Sequence, residues 1–215
     1  MRIEAWSDLG CPWCYLGKRR LEKALAGFAH AGEVEVVWRS FQLAPSYPKG
    51  AARPLYEVMM EQTGGSLDQV RRTVGAVTGP AAEDGLVYDL DRVHMCSTFD
   101  AHRLAHLAAA KGLGGQAHER LLRALLVEGE ILDDDETLVR LGAEIGVADG
   151  ETRELLAGDA YAEQVREDSR EALALGATGA PFFVFDRAYG VAGAQSVSGF
   201  AAVLERAHQR AAAAG

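Results

Sequence analysis

The sequence predicts an α/β fold interrupted by a large all-helical insertion, and three observations predict it. Strand-like segments fall only near the two ends of the chain, at 2–7, 34–43 and 181–192. Between them, from about Pro54 to Ala174, helical periodicity takes over. A C-x-x-C motif, Cys11-Pro12-Trp13-Cys14, stands where the first strand gives way to the first helix. The 215 residues therefore divide into a sheet-bearing part, 1–50 and 176–215, and a helical insertion, 51–175.

The elements follow in order. Arg2-Ile3-Glu4-Ala5-Trp6-Ser7 is a short strand candidate. Tyr15 to Ala31 is rich in helix formers, with Leu21, Ala24, Leu25 and Phe28 on an apolar face that Cys14 and Gly17 continue. Pro12 suits the first helical position, where its missing N–H costs nothing. Val34 to Leu43 carries β-branched and aromatic residues and reads as a second strand, parallel to the first because a helix joins them. Pro45, Pro48 and Pro54 mark a linker.

Within the insertion, helices are expected at Leu55 to Gln62 and from a Ser66/Gln69 capping box toward Val77. Others run from Ser97-Thr98 to Lys111, stopped by Gly112, then Gln116 to Val127, Asp134 to Ile145, and Ala160 to Leu175, ended by Gly176. No internal repeat is present. Pro181 to Asp186 is a strand, Tyr189 to Ala192 pairs back as a hairpin, and Ser196 caps a terminal helix, Val197 to Ala211. The order β-α-β, helical insert, β-β-α is that of a thioredoxin fold interrupted in its middle.

Net charge −9 argues against nucleic acid or an anionic membrane as partner. Lys18, Arg19 and Arg20 could meet a small anion, but read better as a solvated helix face. Three cysteines, two of them in one motif, make no stabilising framework and point to catalysis in a reducing compartment. With the first strand starting at Arg2 and no long apolar run, a cytoplasmic location is expected.

A thiol at a helix N-terminus faces unpaired N–H groups and the positive end of the macrodipole, which favour thiolate. Cys11 is thus the expected exposed attacking sulfur and Cys14 the shielded partner that closes the disulfide. Pro181 opens a buried strand, a costly place for proline unless special. A cis Ala180–Pro181 bond would turn the chain beside the C-x-x-C and leave Ala180 free to pair with an extended substrate. Trp13 and Tyr15 are expected as an apolar rim, with Phe182 and Phe183 alternating between core and cleft wall.

Zinc finds no second C-x-x-C. His102 and His106 stand four apart with His94 and Cys96 upstream, but Arg103 occupies the place of a zinc protease's glutamate, so no metal is expected. Cys96 reads as a buried small residue. Asp133-Asp134-Asp135-Glu136 reads as acids at a helix start. His102 is the candidate to overhang the thiols.

Ser7-Asp8, Cys11 through Lys18 (CPWCYLGK), Ser97 through Leu104 (STFDAHRL), and Gly179-Ala180-Pro181-Phe182-Phe183 with Gly190 through Gln195 resemble one family nearly end to end. It is the FrnE-like branch of the DsbA-family thiol–disulfide oxidoreductases. The resemblance implies a thioredoxin fold with an inserted helical domain and activity on protein or small-molecule disulfides. It also implies Cys11, Cys14 and a cis Pro181 as working positions; beside them, Pro12, Trp13, Ala180 and His102 are the candidate substrate-side residues. The redox-active disulfide needs no bound cofactor; glutathione is the expected co-substrate, or the thioredoxin system the electron partner. A homodimer is compatible with the acidic helical part and not required by it.

Two alternatives stay open. Glutathione-dependent isomerases of hydroxychromene carboxylates look similar but carry serine for the first cysteine, and this chain keeps Cys11. A redox-gated binding protein or chaperone is the other. The chain also departs from the pattern. Ser97 replaces an asparagine, Ala5 stands where thioredoxins bury a proton-relaying carboxylate, and Asp8 in the turn is expected to oppose thiolate formation.

Overall fold

The structure, a computed structural model, describes residues 1–214. Gly215, the last residue of the expected sheet-bearing part, lies outside them. Strand β1 (Arg2–Ser7) leads through α1 (Pro12–Ala26) and a 3-10 turn (Ala31–Glu33) to β2 (Glu35–Ser40). The chain then passes β3 (Arg53–Pro54), α2 (Leu55–Thr63), α3 (Leu67–Gly75), α4 (Thr78–Glu83) and β4 (His94–Met95). Helices α5 (Phe99–Ala109), α6 (Gly114–Leu126), α7 (Asp135–Ile145), α8 (Asp149–Ala157) and α9 (Ala162–Ala174) follow. It closes with β5 (Phe182–Phe185), β6 (Tyr189–Ala192) and α10 (Val197–Ala214).

The main sheet runs β2-β1-β5-β6. β1 lies parallel to β2, as a helical crossover demands, with Ser7 level with Ser40. It lies antiparallel to β5, with Ala5 opposite Phe183 and Trp6 opposite Phe182. Period-two alternation then sorts the faces. Ile3, Ala5, Phe183 and Phe185 pack with Leu21 of α1, Phe28 just after it, and Phe200 and Leu204 of α10. Trp6, Phe182 and Val184 pack on the other face with Ala172 of α9 and Ala177. The Trp6 indole donates to the Asp168 carbonyl at 2.7 Å, so its one polar group is satisfied in the core.

The helical segment has its own core, in which Leu104, Leu121, Leu122, Leu125, Leu138 and Leu141 are fully or almost fully buried. Leu9 and Tyr15 join it, which ties the motif's loop and helix to the insertion. No described helix is long and apolar enough to cross a membrane.

Three features depart from expectation. The insertion holds one short antiparallel ladder, Arg53 opposite Met95 and Pro54 opposite His94, too short to leave a periodicity. Helix α4, beyond the helix expected toward Val77, contains Gly79 and Pro80; Pro80 is tolerated because it lies in the first turn. Helix α8 lacks a side-chain cap at Ala148, and Glu151 instead reaches back to the Ala148 N–H at 3.2 Å. The Ser66/Gln69 capping box is present in both directions.

Candidate active site

The end of β1 and the start of α1 set the two sulfurs. Cys11 is the N-cap residue of α1, in extended conformation (φ −98°, ψ 115°), and Pro12 follows at the first helical position. The Cys11 carbonyl accepts from the Cys14 and Tyr15 N–H groups, so the first turn closes on the motif itself. Cys14 is completely buried and Cys11 is 5% exposed. Cys11 was expected to stand exposed; it is instead nearly covered.

The distant segment arrives as expected. The Ala180–Pro181 bond is cis, and the Cys11 thiol donates to the Ala180 carbonyl at 3.8 Å. Gly17 is what permits the approach: a Cβ there would stand 3.1 Å from Pro181 Cγ and 3.2 Å from Phe183 Cζ. Pro12 and Ala180 are half-buried beside the sulfurs' segments, while Trp13 is 40% exposed.

Burial pushes the Cys14 thiol well above the usual thiol range, and the neighbouring Cys11 sulfur pushes it further. The Asp8 N–H, donating to Cys14 Sγ at 3.4 Å, pulls the other way. The Asp8 carboxylate lies in the turn directly after β1. It is buried and fully engaged: Oδ1 accepts from Gly10 N–H at 3.2 Å and Oδ2 from Leu43 N–H at 2.7 Å. Burial would raise its pKa, but His102 and these two N–H groups outweigh that and hold it below the usual carboxylate range.

His102 does not overhang the thiols. It is 2% exposed, with Nε2 3.6 Å from Asp8 Oδ1, beyond hydrogen-bond reach, and without another partner. It lines a cavity of about 350 Å³ along the free side of β2, together with Trp38, Ser40, His106 and His118. His118 is buried with neither ring nitrogen paired, and burial, then the Lys18 and His102 charges, push its pKa well down. The four residues with ligand-like spacing do not converge. His106 bonds Ser40 and pairs with Asp168, His94 faces the Arg92 carbonyl, and Cys96 is buried with its thiol pushed up to about 12 by desolvation. The acidic run is structural: Asp133 accepts from Gly50 and Ser97, Asp134 caps α7, and Asp135 and Glu136 pair with Lys49 and Arg153.

Several expectations around the motif are corrected. Tyr15 is no rim residue: it is 2% exposed, donates to Glu119 at 2.6 Å and stacks on Tyr88. Phe182 and Phe183 both lie in core, one on each face of the sheet, because the sheet is covered on both sides. Lys18, Arg19 and Arg20 are not a solvated face. Lys18 is buried between Glu22 and Glu119, Arg19 also reaches Glu119, and Arg20 pairs with Asp84 at 2.6 Å. The Ser97 hydroxyl accepts from the Phe99 N–H at 3.4 Å, at the start of α5.

Sequence reasoning missed Tyr88, which donates to the Pro12 carbonyl at 2.8 Å from a loop 76 residues away. No local signal marks it. A lone tyrosine in a loop gains its role only when α1 and the insertion meet.

The DSBA-like thioredoxin domain model matches residues 2–205. The chain belongs to the DsbA-like thioredoxin-domain family. This DsbA-like chain is 44% identical to a probable DsbA oxidoreductase from Streptomyces coelicolor, whose structure it matches over 97% of its own length and 90% of that chain, TM-score 0.93. It is 26% identical over 176 residues to the uncharacterized protein YwbO of Bacillus subtilis, covering 80% of each. A cytosolic disulfide reductase, DsbM from Pseudomonas aeruginosa, also solved with GSH, shares the fold at TM-score 0.63 and 24% identity, over 97% of this chain and 99% of that one.

Proposed function

We propose that this DsbA-like chain is a thiol–disulfide oxidoreductase in which Cys11 attacks and Cys14 resolves. The observation that carries the reading is the meeting of Cys11, at the tip of α1, with the Ala180 carbonyl before Pro181, while Cys14 is sealed beneath. Thiolate Cys11 attacks one sulfur of the substrate disulfide, a Cys11–substrate disulfide forms, and the other substrate sulfur leaves as thiolate and takes a proton from water. Cys14 then loses its proton and attacks Cys11 sulfur, releasing the second substrate thiol and leaving a Cys11–Cys14 disulfide. Two electrons from two glutathione thiols restore the dithiol, yielding glutathione disulfide. Glutathione is proposed on the family's chemistry and on the DsbM structure solved with GSH.

The buried Cys14 supports this order of events. While Cys11 carries charge, its proximity holds the Cys14 proton on; once Cys11 is tied up in the mixed disulfide, that opposition disappears. Trp13, 40% exposed, and the backbone of Ala180 are proposed to receive substrate. His102 is proposed to act through Asp8, whose N–H touches Cys14 Sγ, and not on substrate. The cytoplasm is the proposed compartment.

Thiol trapping in glutathione buffers of set ratio tests the reading. Cys11 and Cys14 should interconvert as one two-electron couple, Cys14→Ala should accumulate a glutathione adduct, and Cys11→Ser should exchange nothing. A pair that never interconverts across the whole range of ratios sinks the assignment.

A further inference from the structure

We propose that His30, Glu33 and His208 form a binding site for a divalent zinc ion, at the end of α1 away from the C-x-x-C. Among the described residues this is the one place where three such side chains gather, with ligand atoms all within 4.8 Å of one another. The redox reading plays no part in it.

The chemistry of the set suits zinc. Two imidazoles and a carboxylate are the borderline N and O donors that Zn²⁺ takes, with a fourth position left for water. Two ligands come from one short segment, His30 and Glu33, the third from α10. His30 caps the 3-10 turn that contains Glu33, and in such a turn side chains three apart stack over one another. His30 Nδ1 already lies 3.3 Å from Glu33 Oε1. That matches the separation of about 3.3 Å between two ligand atoms bound tetrahedrally at the usual zinc distances.

His208 is held against this pair. Its ring stacks on that of His30 with centroids 3.8 Å apart and 18° between planes, and the buried Phe28 meets both rings edge-on at 5.6 and 5.8 Å. Stacked rings point their lone pairs along near-parallel planes, so binding an ion requires the His30 ring to turn out of the stack. The His30 and Glu33 side chains are 43% and 67% exposed and have room to turn.

An ion there would pin the C-terminal helix to the α1–β2 connection. Helix α1, with its 15 residues, separates it from the thiols by about 22 Å, so one ion cannot serve both.

The test is zinc and cobalt binding to the Cys11→Ser/Cys14→Ser chain, whose lack of motif thiolates removes the obvious competitor. It should retain one equivalent after gel filtration, give the visible absorption of tetrahedral cobalt, and melt about 5 °C or more higher with saturating zinc. His208→Ala should lose all three, as should Glu33→Gln, which is exposed and leaves the fold intact. In the unmodified chain, His208→Ala should leave disulfide exchange unchanged. Zinc retained equally by His208→Ala and Glu33→Gln overturns the proposal, and so does the absence of a bound equivalent in the Cys11→Ser/Cys14→Ser chain.

Discussion

At the scale of single residues, Asp8 shows how a buried charge is satisfied. Asp8, the residue directly after β1, is a buried carboxylate whose oxygens are occupied by the Gly10 and Leu43 N–H groups and faced by His102. Its pKa is held below the ordinary carboxylate value, so it stabilises the folded state fully above that ordinary value, and the contribution is lost as pH falls through the depressed one. Asp8→Asn, which keeps the shape but loses the charge and turns one acceptor into a donor, should cost about 2 kcal/mol at pH 7. Urea melts at pH 7 and at pH 3 should show that deficit shrinking with acid. A deficit that grows with acid would mean that Asp8 is not the charged partner described. The turn position of Asp8 was legible in the sequence; its partners were not, since Leu43 and His102 lie 35 and 94 positions along the chain.

At the scale of elements, the junction of β1 and α1 was legible because local rules decide it: a cysteine at the cap position, proline in the first turn, apolar residues recurring through Leu21. The closeness of α1 to the β5 entry was not, and it rests on Gly17. Alanine usually gains about 0.5–1 kcal/mol over glycine within a helix. Here its methyl would press on Phe183, which is wholly buried against Phe200 and cannot yield. Overpacking of this kind costs about 1–3 kcal/mol. Gly17→Ala should therefore destabilise, by about 1 kcal/mol net, and slow disulfide exchange by moving Cys11 from Ala180. Equilibrium denaturation and exchange rates with glutathione disulfide check both, and a more stable, equally fast variant would refute the packing argument. Helices α4 and α8 escaped detection for the opposite reason: breakers within one and an absent side-chain cap on the other hide elements that tertiary contacts stabilise.

At the scale of the whole molecule, α1 is bolted to the helical segment by charge. Lys18, 3% exposed, lies between Glu22 and Glu119, and Glu119 also holds Arg19 and the Tyr15 hydroxyl. Burial acts to raise the Glu119 pKa, but Lys18 and Tyr15 outweigh it and keep the carboxyl charged. Removing Glu119 strips three partners at once, whereas Lys18 keeps Glu22. Glu119→Ala should cost about 2 kcal/mol, below the figure for a fully buried pair because Glu119 is a third exposed. Glu22→Ala, removing a more exposed carboxylate, should cost less than about 1 kcal/mol. Chemical denaturation of the two variants side by side decides; equal losses would mean that the interface is not organised around Glu119.

What the sequence determined by itself was everything that short-range physics writes into neighbouring residues. That includes the strand, the proline-started helix, the two cysteines one turn apart, the long helical periodicity and the returning hairpin. It also marked Pro181 as a proline in a costly place, since a strand start has to accommodate its ring and missing N–H. Only the tertiary structure decided which charges are solvated and which are locked, that Tyr15 turns inward to Glu119, that Tyr88 reaches the Pro12 carbonyl, and that His102 sits behind Asp8. Those outcomes depend on the insertion folding back over α1, and the free energy of a buried ion or hydroxyl is set by whatever partner arrives from elsewhere in the chain.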